Sequence, residues 1–141
     1  MTTYYFDVDG VLADFHTNYI HAERERFITY DYIRNLQPFE DNVRTVHLFT
    51  SLSANVYIAT RVANEDCARA RREWLHEYLP EIDDSHIIIA INGSLKPEML
   101  PTADGIFIND LEKECKKFAK RGFTPIWIEE KGSNILETPV M

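Results

Sequence analysis

The sequence predicts an α/β fold built on a parallel sheet. Three observations carry that expectation. Five short apolar runs rich in β-branched and aromatic residues recur along the chain. Segments of helical periodicity separate them. Alternation of that kind reads as βαβ units with strands buried on both faces. The chain has 141 residues, which suits a single hydrophobic core, and it shows no repeat, low-complexity tract or Gly/Ser linker. One domain over 1–141 is therefore expected.

The first run is Thr3–Val8 (TYYFDV), followed by the turn residues Asp9 and Gly10. Residues 15–53 then break the alternation: Phe15, Tyr19, Ala22, Phe27, Val43, Val46, Phe49 and Leu52 are spaced as in helices, with no convincing strand. An insertion directly after the first strand lies over the C-terminal edge of the sheet, where open α/β folds bind ligands. It is read as a small helical lid. Val56–Ala59 is the second strand. Asn64 is placed as an N-cap ahead of Glu65 and Asp66, whose charges suit a first helical turn. Cys67, Ala70, Trp74 and Tyr78 mark that helix's inner face, and Pro80 ends it. Arg69, Arg71 and Arg72 are expected to face solvent. His86–Ile91, Gly105–Ile108 and Pro125–Ile128 supply three more strands. A helix starting at Asp110 or Leu111 is expected to put Leu111, Cys115, Phe118 and Ala119 inward and to stop at Gly122. Residues 131–141 show no periodicity and read as an irregular arm.

Composition narrows the function. Lys and Arg number 15 against 23 Asp and Glu, a net charge of −8, which argues against a general nucleic-acid-coating role. No apolar run reaches the ~20 residues of a membrane span, and the opening MTTYYFDVDG lacks the basic and apolar parts of an export signal. Cys67 and Cys115 stand far apart and are expected to be buried thiols. A cytoplasmic protein without membrane contact is the expectation.

The candidate chemistry lies at the strand ends. Asp7 and Asp9 are two carboxylates at i and i+2, able to face the same way. Thr60 follows the second strand, Lys96 follows the third, and Asn109-Asp110 follow the fourth. Each has an ordinary explanation by itself: turn, loop cap, solvated surface, helix cap. Their order assembles a carboxylate pair, a hydroxyl, a cation and a further acid at one sheet edge. Phosphoryl transfer asks for such a set, because its catalysis is mostly positioning and charge stabilisation. Arg61 is placed to touch an anionic substrate.

FDVDGVLADF, YIAT, SLK and IFIND resemble the four motifs of the haloacid dehalogenase (HAD) superfamily of phosphohydrolases. DGVLADF, RREWLHEYLP and the spacing to SLK and IFIND are similar to its 5'(3')-deoxyribonucleotidase group, across Thr3–Ile128. The resemblance implies a HAD-like, Rossmannoid three-layer fold with five parallel strands and a reduced cap at 15–53. It implies Asp7 as nucleophile, Asp9 as general acid and then base, Thr60 as phosphoryl binder and Lys96 as charge balance. Mg²⁺ would be held by Asp7, the backbone carbonyl of Asp9, Asp110 and, through its amide oxygen, Asn109. Phe15 would line the substrate pocket. The implied activity is Mg²⁺-dependent hydrolysis of a phosphomonoester through an aspartyl-phosphate, with a nucleoside monophosphate as the substrate class. Two departures keep rivals open. Asn109 stands where the family commonly has an acid, and the cap is shorter than the nucleotidases' own. A phosphatase for another small ester and a non-catalytic phosphate- or nucleotide-binding protein are the alternatives.

Overall fold

The computed structural model describes residues 1–141. β1 (Thr3–Phe6) is followed by a 3-10 segment (His21–Arg26), α1 (Tyr30–Arg34) and α2 (Glu40–Ser51). Then come β2 (Asn55–Val62), α3 (Glu65–Tyr78), β3 (Ile87–Ile91), β4 (Gly105–Asn109), α4 (Glu112–Ala119) and β5 (Phe123–Trp127). The five strands form one all-parallel sheet in the order β3-β2-β1-β4-β5. The chain leaves β1 toward β2 on one side and returns to its other side at β4. That reversal puts a crevice beyond the C-terminal end of β1, the place where such sheets bind ligands.

Alternation along the strands makes two apolar layers. Phe6, Ile58 and Ile108 join α2 and α3 through Val43, Val46, Trp74 and Leu75. Their neighbours Tyr5, Ala59 and Phe107 join Phe118 of α4, together with Leu95 and Leu100, on the other face. Phe107 and Phe118 stack with ring centroids 3.9 Å apart. The result is the expected three-layer Rossmann-like arrangement.

Most of the expected elements stand where the pattern placed them. Asn64 caps α3 by accepting from the Cys67 N–H at 2.8 Å. β1 stops at Phe6 rather than Val8, β5 runs Phe123–Trp127 rather than Pro125–Ile128, and three further details differ. β2 runs to Val62, so Thr60 lies inside the strand, paired with Ile89, because β3 extends the ladder beyond Ala59. α4 begins at Glu112; Leu111 is exposed ahead of it and Ala119 also faces outward. Arg71 is not at the surface at all: it is 1% exposed.

Within residues 15–53, α2 packs against β2 and forms part of the core, whereas α1 stands against α3. The Tyr30 hydroxyl donates to Glu73, Arg34 pairs with Glu77 at 2.7 Å, and Asn64 donates to the Ile28 carbonyl at 3.0 Å. Trp74 Nε1 donates to the Leu36 carbonyl at 2.9 Å. These ties cross from the insertion to α3 along its length. The arm 131–141 is also packed: Asn42, fully buried, donates to the carbonyls of Val11 and Ser133 and accepts from the Ile135 N–H. No helix is long and apolar enough to cross a membrane.

Candidate active site

The site starts from the turn after β1. The Asp7 N–H donates to the Ile108 carbonyl at 3.0 Å, which carries the β1–β4 ladder one residue beyond the strand. The Val8 carbonyl then accepts from Val11, Leu12 and Ala13, so the chain curls tightly. Gly10 sits at φ +81°, and a Cβ there would stand 2.3 Å from Asp110 Oδ2. Only glycine lets this turn lie against the end of β4. The Gly132 N–H closes the turn from the far side by donating to the Gly10 carbonyl at 2.9 Å.

This packing gathers Asp7, Asp9, Thr60 and Asp110 at one cleft of about 480 Å³. Asp7 is half-buried and opens onto it. Burial, then the carboxylates of Asp110 and Asp9, push Asp7 well above the usual carboxylate range. The Val8 N–H, 2.8 Å from Oδ1, and the Thr60 hydroxyl oppose that shift by donating to it. Thr60 is 2% exposed. Asp9 Oδ1 accepts from Arg71 Nη2 at 2.7 Å. Asp110 Oδ2 accepts from Lys131 Nζ at 2.8 Å, with His16 Nε2 3.9 Å away. Phe15, Tyr19, Arg24 and Ile28 from the insertion, Arg61 from β2, Arg71 from α3, and Asn92 and Gly93 after β3 are among the other lining residues. Phe15 is fixed by Tyr32, whose hydroxyl donates to its carbonyl at 2.5 Å and whose ring meets it edge-on at 5.4 Å.

Two expected residues are not brought in. Lys96 is exposed, at the start of a 3-10 turn, and does not line the cleft. Asn109 is 5% exposed and also outside the lining; its Oδ1 accepts from the Leu111 N–H at 2.9 Å. Asn109 thus closes the turn ahead of α4, and Asp110 does not cap that helix: its N-cap is Leu111, with no side-chain cap. Sequence reasoning in turn missed Arg71 and Lys131. Arg71 had a usable signal: it lies four residues after Cys67 and three before Trp74, on the inner face of α3. Lys131, in an aperiodic arm, had none.

The oxygen donors fit a small hard cation. Asp7 faces two other carboxylates, a charge cluster that a cation would relieve. No three His, Cys, Asp or Glu side chains form a cage by themselves, and Mg²⁺ does not need one: it binds through one or two carboxylates and keeps several waters. A larger groove of about 830 Å³ lies under the C-terminal arm, lined by Glu129, Glu130 and Glu137 among others, and contains none of these residues.

No family model matches the chain. Over 82 residues it is 32% identical to proteins named 5'(3')-deoxyribonucleotidase from Bacillus subtilis (strain 168) and from Bacillus phage SPbeta. The chain is similar to these nucleotidases. The matched stretch is 57% of this chain and 47% of each relative, so the chain spans about half the length of the curated relatives it matches.

Proposed function

We propose that the protein is a Mg²⁺-dependent phosphomonoesterase that works through an aspartyl-phosphate on Asp7, with a nucleoside monophosphate as substrate class. The observation that supports this most is the meeting of Asp7 and Asp9 after β1, Thr60 within β2 and Asp110 after β4 in one cleft. The names of the similar proteins support the substrate class.

In this reading a carboxylate oxygen of Asp7 attacks phosphorus and the bond from phosphorus to the ester oxygen breaks. Asp9 gives its proton to the departing alkoxide. Water then attacks the phosphoryl group on Asp7, Asp9 takes the proton, and inorganic phosphate leaves with Asp7 restored. Thr60 and Arg61 meet the phosphoryl oxygens. Asp7, Asp110 and the Asp9 carbonyl would hold Mg²⁺, which supplies neutralising charge at the phosphoryl group. The half-buried ring of Phe15 would border the rest of the substrate.

A second reading, binding of a phosphate or nucleotide without turnover, draws on two placements: Lys96 lies outside the cleft and Asn109 is committed to a turn. Phosphate release from a panel of nucleoside monophosphates, sugar phosphates and an aryl phosphate, with and without Mg²⁺, tests both. Mg²⁺-dependent release, greatest with a nucleotide, supports the enzyme. Binding of these ligands without release supports the binder.

A further inference from the structure

Arg71 is the most deeply buried cation at the cleft, 1% exposed and flanked on α3 by the core residues Ala70, Trp74 and Leu75. Its Nη2 reaches Asp9 Oδ1 at 2.7 Å. Its Nε and Nη1 have no hydrogen-bond partner and are closed off from solvent. A guanidinium has five donors in a rigid fork, and here the only acceptor it meets is one carboxylate oxygen of Asp9. Burying a cation with so few partners costs stability, which a single ion pair offsets only in part. Packing therefore gives no reason for an arginine here. What the residue does accomplish is geometric. Asp9 is one-quarter exposed, on a tight turn, and would otherwise be free to rotate. Nη2 fixes Oδ1 and leaves Oδ2 as the oxygen without that tether.

We propose that Arg71 is a positioning residue for proton transfer: it holds Asp9 so that Oδ2 meets the leaving oxygen of the ester. This rests on the phosphomonoesterase reading above. Arg71 stands in the cleft wall but is 1% exposed; in this proposal it acts through Asp9 and not on the substrate directly.

A general acid matters in proportion to how badly the leaving group needs a proton. The test uses two substrates, a nucleoside 5'-monophosphate, whose alkoxide leaves poorly, and 2,4-dinitrophenyl phosphate, whose phenoxide leaves unaided. kcat/KM is read because it reports the steps through cleavage of the ester bond. Arg71→Met should lower kcat/KM for the nucleotide by on the order of 100-fold, the usual scale of a positioned general acid, and for the dinitrophenyl ester by less than about threefold. The melting temperature of Arg71→Met should fall, because Asp9 loses its cation beside Asp7 and Asp110, so both substrates are assayed at a temperature where the variant is folded. Arg71→Lys, which keeps one cation able to reach Asp9, should recover a substantial part of the nucleotide rate and keeps the test informative if Arg71→Met folds poorly. Equal losses on both substrates would show a role in binding or folding and overturn the proposal, as would an Arg71→Met enzyme with full nucleotide activity. Failure of the wild-type protein to release phosphate from either ester, seen before any variant is made, would refute the phosphomonoesterase reading and this inference with it. Wild-type activity without the substrate-dependent loss would refute this inference alone.

Discussion

Replacing Gly10 by alanine should damage both stability and metal binding, and the size of the effect follows from the turn. At φ +81° an L residue is strained by about 1 kcal/mol. The new methyl would lie 2.3 Å from Asp110 Oδ2 and 2.7 Å from its Cγ, well inside contact distance. Asp110 has no room to yield: its side chain is 3% exposed and Oδ2 is held by Lys131 at 2.8 Å. Displacing it loosens that ion pair. Lys131 is one-third exposed, so solvent screens the loss to about 1 kcal/mol. The two contributions come to about 2 kcal/mol, a fall in melting temperature of about 8 °C for a domain of this length. Because Asp110 is also a proposed Mg²⁺ ligand, the metal should bind several-fold more weakly, as calorimetry on the intact protein would read. A Gly10→Ala protein with the wild-type melting temperature and Mg²⁺ affinity would refute the packing of this turn against Asp110.

Three further outcomes are expected. Without metal, Asp7 has a raised pKa, so the folded state holds its proton more tightly than the unfolded chain does. Stability from this group is highest below its ordinary value of 3.8 and falls as pH rises toward the shifted value. Asp7→Asn should therefore melt higher than wild type at neutral pH in EDTA, with the gap closing as pH drops toward 4; a variant less stable than wild type at neutral pH contradicts this. Cys115 is fully buried and its thiol is pushed up to about 12 by burial and nearby carboxylates. Its thiolate fraction near pH 8 is then about 1000-fold below that of an ordinary cysteine, and a disulfide reagent should leave it unmodified until the protein unfolds. Lys131→Met frees Asp110 from a competing cation and should tighten Mg²⁺ binding about fivefold, the equivalent of about 1 kcal/mol; unchanged affinity by calorimetry would place the metal away from Asp110.

The parts of this structure that were legible in the sequence are those encoded locally. Asp7, Asp9 and Gly10 form a turn within four residues, and the strands β1, β3, β4 and β5 are short apolar runs whose type is plain. Thr60 and Asp110 were visible only through their order relative to the strands, because nothing near either residue distinguishes it from a loop or cap residue. Asn42 and Lys131 were not visible, since their roles arise from an aperiodic arm folding back on α2 and on the end of β4. Arg71 shows how a general expectation about charge misleads. Arginines usually face water, yet its phase on α3 between Cys67 and Trp74 pointed inward, and that phase was the better guide. Lys96 shows the reverse: its place in the motif order suggested a site residue, while the turn after β3 leaves it exposed.

The central claim is that Asp7 carries the phosphoryl group, and it can be tested by trapping. The wild-type protein, mixed with a nucleoside monophosphate and Mg²⁺ and quenched rapidly in acid, should yield a phosphorylated peptide with the group on Asp7, and the Asp7→Asn protein should yield no adduct and no phosphate release. Undiminished phosphate release by Asp7→Asn, or an adduct on any other residue, would contradict the account.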